Sequence, residues 1–407
     1  MDAPTHSTPP GHAFIAGGGV GGLSAALALA RIGWRVSLFE AAQALEDIGA
    51  GLQISPNASR ILRQWNVLGD VSDAGLKPEA LRIMAAHSGA PIAKIPFGLT
   101  ADHRWGAPYL VSHRADLINA LYHACLNIPA IQIHTHSRVI GFAHIDKGVE
   151  IAVQTAHAVH NLRADMLIGA DGLRSTIRAG LGLGLNDKPV YSGNIAWRTL
   201  IPAQNAPDFA REPLSYLWLG PNAHCVHYPL RHNSVINLVA ITEDKWRETP
   251  TGDDWNLKAE RAALLRRFDG WHKKARELIA SATEWRCWPL YDRPPIARWH
   301  DRHVALLGDG AHPMVPFLAQ GAAMAIEDAE VLARALVRAD HNVENALRDY
   351  THTRSPRASA VQLAARKQGE IYHLNGIAGL GRNMVLRTMS KERLLSELDW
   401  IYNYRVR

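Results

Sequence analysis

The strongest constraint on this chain lies near its start, where an apolar run meets Gly17-Gly18-Gly19-Val20-Gly21-Gly22. Ala13–Ala16 reads as a strand and Leu23–Ile32 as a helix that Gly33 ends. Arg35–Phe39 reads as the next strand and closes on Glu40. The whole is a βαβ unit. Gly17, Gly19 and Gly22 fit G-x-G-x-x-G. The first glycine permits the tight turn, the second lets the backbone approach a pyrophosphate, and the third lets helix pack on strand. The phosphate then meets the unpaired N–H groups of the helix N-terminus. Glu40, at the end of the second strand, is placed to accept hydrogen bonds from ribose hydroxyls. A dinucleotide-binding fold is the reading.

A second element of the same kind lies far downstream, at Val304–Ala329. Val304–Leu307 reads as a strand that runs into Gly308-Asp309-Gly310, then a proline-bearing loop, then an alanine-rich helix opened by Gln320-Gly321. A carboxylate on a tight glycine turn is a good acceptor for sugar hydroxyls. Two such elements in one chain fit one long cofactor held at both ends.

The 407 residues allow two domains and a sizeable core. His113–Leu126 carries apolar residues at helical spacing, and Met166–Gly169 is a short buried strand ending in Ala170-Asp171-Gly172. Between about Pro189 and Leu290 the texture changes to strand-like runs separated by turn signals: Asn194–Leu200, Ser215–Leu219, His224–Leu230 and Ser234–Ile241. That pattern predicts an antiparallel sheet inserted into an α/β body, and the pattern beyond about Glu327 is helical. The fold class expected is α/β: a Rossmann-like nucleotide-binding domain, an inserted antiparallel β-sheet substrate domain and a helical C-terminal segment. The expected boundaries are 12–80, 106–188 and 290–365 for the first, 81–105 and 189–289 for the second, and 366–407 for the third. Gly180-Gly182-Gly184 and Gly376–Gly381 are read as loops, and His134 and His136 as solvated neighbours on one strand face.

Composition excludes several classes. Cys125, Cys225 and Cys287 are scattered and form neither a zinc pattern nor a disulfide framework, so no metal is expected. The net charge of +6 is spread along the chain without aromatic interleaving, which argues against nucleic acid. No apolar run has the length of a membrane span, and the polar start lacks the pattern of a signal peptide. A cytoplasmic protein, monomer or homodimer, is expected.

Taken together, the motifs resemble the class A flavoprotein aromatic monooxygenases, the group of the salicylate, hydroxybenzoate and 6-hydroxynicotinate hydroxylases. The resemblance spans nearly the whole chain. It rests on the glycine fingerprint with Glu40, Gly49-Ala50-Gly51-Leu52-Gln53, Ser55-Pro56-Asn57 and Arg114-Ala115-Asp116-Leu117. It continues through Gly169-Ala170-Asp171-Gly172 with Ser175 and Arg178, and Gly308-Asp309 through Asp328; Gly310 departs from the alanine usual there. The resemblance implies FAD, with NADH or NADPH as a transiently bound co-substrate and O2 as oxidant. It implies a flavin C4a-hydroperoxide as the oxygenating species and a small phenolic or N-heteroaromatic substrate, expected to be an acid. Arg114 would contact the flavin side or the pyrophosphate, Asp309 the ribityl or pyrophosphate region, and Asp171 the place where both FAD and NAD(P)H bind. Backbone N–H groups of Gly321, Ala322 and Ala323 would stabilise charge on the reduced ring. Pro313, Pro316 and Phe317 would stiffen and dry the adjacent wall.

The substrate side is expected on the inserted sheet. On a strand, His224 and Tyr228 point to one face with Val226 between them, and His227 points to the other. A histidine with a pKa near neutrality suits removal of a phenol proton, so His224 is expected as base or substrate binder and Tyr228 as its positioning partner. Gln53, Pro316 and Phe317 are expected at the substrate ring. Arg198 is a weaker candidate for a substrate carboxylate. A ubiquinone-pathway hydroxylase or another flavin-dependent oxidoreductase of the same fold is the alternative. Against the former, residues 317–323 depart from P-x-x-G-Q-G-x-N; against a halogenase, Trp197-Arg198-Thr199-Leu200 departs from W-x-W-x-I-P.

Overall fold

The computed structural model describes residues 10–45, 51–183, 187–246 and 257–406. The His12–Ala16 strand lies inside a six-stranded sheet, between parallel neighbours Arg35–Phe39 and Met166–Gly169. Ile131–His134 extends the sheet on one side and Val304–Leu306 on the other, with His300–Asp301 antiparallel at that edge. Parallel strands need crossovers and cover on both faces. The Val20–Arg31 helix supplies the first crossover, and it packs against both the Arg114–Leu126 and Gly321–Arg338 helices. Its run of small and branched apolar residues is buried from Leu23 to Leu29, which leaves no polar face to solvate. Gly33, at φ +90°, ends it. Gly33 N–H donates to Ala30 O at 3.0 Å and Trp34 N–H to Leu29 O at 3.2 Å, the paired bonds of a Schellman motif.

The second sheet has eight strands. Its order is Leu257–Lys258, Arg286–Asp292, Val190–Pro202, Val235–Glu243, Ala223–Leu230, Ser215–Gly220, Ala80–Ala85 and Pro91–Pro96. All neighbours are antiparallel except Ser215–Gly220 with Ala80–Ala85. One face is packed by the Arg261–Arg267 and Lys273–Ser281 helices, through Leu264, Phe268, Leu278 and Ile279. The other face is turned to the cavity described below. A short pair, Gly51–Ile54 with Leu110–His113, joins the two bodies: Gly51 N–H donates to Asn237 Oδ1 at 2.8 Å.

Three sequence expectations change. Gly376–Gly381 is not a loop but the first part of a helix, Gly376–Thr388. Leu386 and Met389 pack on the core and Arg382 bonds the carbonyls of Ile371 and Tyr372, contacts that outweigh the low helix propensity of its glycines. The boundary at 365/366 falls inside one continuous helix, Val343–Tyr372. His136 does not share a strand face with His134: the strand ends at His134, and His136 lies beyond it at φ +51°. Gly184 and the Gly49-Ala50 pair lie outside the described residues.

Candidate active site

The two bodies enclose a cavity of about 1660 Å³ that reaches from the glycine fingerprint to the open face of the eight-stranded sheet. The three fingerprint glycines meet three different demands. Gly17 has φ +102°, and a Cβ there would lie 2.4 Å from Ala170 O. At Gly22 a Cβ would lie 1.8 Å from Gly17 O, so the helix could not close on the turn. A Cβ at Gly19 meets nothing within 4 Å, and Gly19 lines the cavity. No side chain caps the helix that starts there. Its first N–H groups, with the positive end of the helix dipole, are left for a ligand phosphate.

Glu40 is held beside this turn. Its Oε2 accepts from Gly18 N–H at 2.6 Å and its Oε1 from Ala42 N–H at 2.7 Å. Each carboxylate oxygen keeps a further acceptor site for a hydroxyl. Asp171 also lines the cavity, and its carboxylate works as a local brace. It accepts from Ser175 Oγ and, at 2.7 and 3.2 Å, from the N–H groups of Thr176 and Ile177. Burial raises its pKa, against the lowering effect of these bonds.

At the other end, Gly308 (φ +59°) starts the Gly308–Gly310 turn, and its N–H donates to Asp328 Oδ2 at 3.0 Å. Asp309 is exposed to the cavity and lies close to the N-terminus of the Gly321–Arg338 helix: a Cβ on Gly321 would be 3.9 Å from Asp309 Oδ1. That helix too has no side-chain cap. Gly321 and Ala322 line the cavity; Ala323 is buried and offers the site only its first-turn N–H. Buried Gln320 fixes the helix start through Ser55 Oγ at 3.0 Å and Asn57 Nδ2 at 3.2 Å, which gives Ser55-Pro56-Asn57 its role.

The helix is anchored below by charge. Fully buried Arg354 bonds Glu327 and Asp328 at 2.7 Å each, and His312 Nε2 meets Asp328 at 2.6 Å. Burial alone would raise the Asp328 pKa, but the charges of His312 and Arg354 bring it down to about 2.

The substrate end is built by strand alternation. His224, Val226 and Tyr228 face the cavity, and their cross-strand partners do as well: Leu219 and Ile241 flank His224, and Leu217 and Val239 flank Val226. His227 faces the other way, stacked on Tyr216 with centroids 4.7 Å apart, and accepts from Trp218 Nε1 at 3.2 Å. Phe317, on the Pro316–Leu318 turn, meets the His224 ring edge-on at 5.5 Å and packs on Gly369, where a Cβ would strike its ring. Gln53 accepts from the Tyr109 hydroxyl, and Tyr109 stacks on Phe97 at 4.1 Å. The pKa near neutrality expected for His224 is not found: burial, with a smaller effect from His373, pushes it well below the usual histidine range, so the ring is neutral. Arg198 does not line the cavity; its guanidinium lies over the Trp288 ring at 4.7 Å.

The FAD binding domain family matches residues 12–365. The chain belongs to that family. This FAD-binding chain is 32% identical over 394 residues to 3-hydroxybenzoate 6-hydroxylase of Klebsiella oxytoca, with 97% of this chain and 96% of that protein covered. It is 33% identical over 353 residues to 6-hydroxynicotinate 3-monooxygenase of Bordetella bronchiseptica, covering 86% of this chain and 88% of the relative. Among solved structures it resembles a salicylate hydroxylase substrate complex, with a TM-score of 0.82, 25% identity, and 98% and 97% of the two chains covered. The protein is an FAD-dependent aromatic monooxygenase with NAD(P)H as co-substrate. The cradle fits the cofactor on its own terms. Two uncapped helix N-termini suit phosphate and ring, Gly19 leaves room for close approach, and Glu40 and Asp309 offer acceptors to sugar hydroxyls. Among the described residues, no helix of this flavoprotein is long and apolar enough to cross a membrane.

Of the expected site residues, Gly17, Gly19, Glu40, Gln53, Arg114, Asp171, His224, Tyr228, Asp309, Pro316, Phe317, Gly321 and Ala322 line the one cavity, and Gly22 and Ala323 stand behind it. Sequence reasoning missed Tyr109 and Tyr372, which line the substrate end, and His373, which bonds His224. It also missed the tail: Met389, Leu394, Leu398 and Tyr402 contribute to the wall. No local pattern distinguishes these residues from ordinary core positions.

Proposed function

We propose that this flavoprotein hydroxylates a small aromatic acid bearing a ring hydroxyl, phenolic or N-heteroaromatic, with the ring held between the His224–Tyr228 strand and Phe317. In this reading His224 removes the hydroxyl proton, which raises electron density on the ring, and Tyr228 orients the substrate oxygen. Gln53, Pro316 and Phe317 shape the pocket and keep water out. Bound FAD supplies the oxygen-transfer chemistry. Glu40, Arg114, Asp171 and Asp309 hold it, and Gly321 to Ala323 present N–H groups to its ring. Arg174, Lys367, Arg382 and Arg393 line the same cavity and favour an acidic ligand.

One observation carries the reading: a buried, neutral histidine and a tyrosine share one strand face in a cavity continuous with the nucleotide cradle. Relatives acting on 3-hydroxybenzoate and 6-hydroxynicotinate support it by likeness. The domain assignment rests on the same division: residues 12–80, 106–188 and 290–365 for FAD, the sheet of 81–105 and 189–289 for substrate, and a helical tail from 366 to 407 whose boundary the Val343–Tyr372 helix runs across. The test is a panel of hydroxybenzoates and hydroxypyridine carboxylic acids, scored for stimulated NAD(P)H oxidation and for hydroxylated product. A holoenzyme that binds none of them and yields no product overturns the proposal.

A further inference from the structure

A line of three side chains leads from the substrate end of the cavity to the surface. His224 Nδ1 lies 2.8 Å from His373 Nε2, across 149 residues of sequence. His373 Nδ1 lies 2.9 Å from Glu243 Oε1, across a further 130. Exposure rises along the line: His224 is 2% exposed, the His373 side chain 3%, and the Glu243 side chain 47%. Both inner members are fixed by backbone. His373 follows the Val343–Tyr372 helix directly, with its N–H on Gly369 O at 3.1 Å. Its carbonyl accepts from Asn222 N–H at 3.2 Å, and Asn222 O accepts from Glu243 N–H at 2.9 Å. Helix end, turn and strand end are therefore tied at one point.

The acceptor at the outer end sets the direction of every bond. A carboxylate only accepts, so Glu243 takes the Nδ1–H of His373. In neutral His373 this leaves Nε2 as an acceptor, which must receive the Nδ1–H of His224. In neutral His224 the remaining nitrogen, Nε2, then carries a lone pair on the side left to the cavity. Burial lowers the pKa of both rings. Glu243 opposes that effect on His373, and Arg382, whose guanidinium is held on the carbonyls of Ile371 and Tyr372, adds to it. Tyr372 and Phe317 also face His224, edge-on at 5.0 and 5.5 Å.

We propose that His224, His373 and Glu243 form a proton relay that carries the substrate's hydroxyl proton from the closed cavity to solvent. The relay rests on the phenol reading given above. The substrate O–H proton passes to His224 Nε2, the Nδ1 proton of His224 to His373 Nε2, and the Nδ1 proton of His373 to Glu243 Oε1, where water removes it. One proton enters and one leaves, Glu243 returns to its carboxylate form, no residue changes its net charge, and both rings end in the other tautomer. They are reset when the product takes a proton back along the same line. His373 and Glu243 are positioning residues that act through His224.

Stopped-flow mixing tests this with FAD-loaded enzyme, a nitrophenol-type aromatic acid whose phenolate absorbs in the visible, and a pH indicator in weakly buffered solution. The wild type releases one proton per ligand bound, in step with the phenolate band. In Glu243→Gln and His373→Phe both signals slow by about tenfold or more, within the range of lost proton-transfer catalysis. Glu243 is half exposed, so the Gln variant keeps its fold, which flavin content and affinity for the O-methyl ether of the same acid confirm. Unslowed proton release in both variants overturns the relay alone. Failure of the wild type to bind the nitrophenol or to ionise it overturns the substrate reading and the relay with it.

Discussion

Arg178 Nη1 donates to the carbonyl of Ala311 at 2.7 Å and to that of Gly310 at 3.1 Å, which ties together two motifs some 130 residues apart. The same guanidinium bonds Asp187 at 2.6 Å, with the arginine buried. Asp171 fixes the start of the helix that carries Arg178, so the Asp171-Gly172 and Gly308-Asp309 turns are set against each other as one rigid piece. In Arg178→Ala, carbonyls and a carboxylate are left short of a partner in the interior. The expected loss is about 3–5 kcal/mol of stability together with lower FAD content. Thermal melts and the flavin-to-protein absorbance ratio of the purified variant check this; an unchanged ratio would separate Arg178 from the cradle.

The glycines of the fingerprint predict a contrast between neighbours. Gly19→Ala meets no protein atom and should melt like the wild type while holding FAD more weakly. Gly22→Ala places a Cβ against the Gly17 carbonyl and should destabilise the apoprotein itself. Apoprotein melting and flavin titration distinguish the two, and equal melting temperatures would contradict the assignment of their roles.

His224→Gln is expected to keep FAD and lose coupling. Hydroxylated product should fall by roughly a hundredfold or more, the usual scale for a lost general base, while NAD(P)H oxidation continues with release of peroxide. Product yield and peroxide, measured together, decide it. Product formation at the wild-type rate would remove His224 from the chemistry.

Acid should destabilise this protein well before its carboxylates titrate. Burial lowers the His227 pKa to about 3. The unfolded chain takes up that proton near 6.5, so between the two values it binds more protons than the fold does. Stability is therefore complete above about pH 6.5 and falls as pH drops toward 3, by up to roughly 1.4 kcal/mol per unit from this ring. The His227→Leu variant should start less stable, because Trp218 loses its acceptor, but show a flatter slope. Urea midpoints at two acidic pH values measure it, and parallel slopes would refute the attribution.

What could be read from the sequence was what is local. Gly22 acts through a contact with Gly17 in the same turn, and the alternation of His224, Val226 and Tyr228 follows from strand geometry alone; the Ala170 carbonyl that excludes a side chain at Gly17 could not be read locally. The Gly376–Thr388 helix is hard to see locally because its first turns carry Gly376, Gly379 and Gly381, residues of low helix propensity. His373 was invisible for another reason. Nothing near it marks it, and its meaning arises only when the end of a long helix meets a strand 130 residues earlier. Arg198 shows the converse: a plausible carboxylate reader by position, its side chain lies over Trp288 and outside the cavity wall.

The order of strands in the six-stranded sheet bears on how the protein is made. The His12–Ala16 strand takes its neighbours from Arg35–Phe39 and Met166–Gly169, and Val304–Leu306 joins only beyond the latter. During synthesis the glycine turn leaves the ribosome long before Asp309 and the second helix N-terminus do. A nascent chain can gain no full grip on FAD until the stretch through Gly321 has been translated. Flavin capture should therefore follow the emergence of both elements, and chains stalled or clipped before that point should be left to proteolysis without the protection of the cofactor.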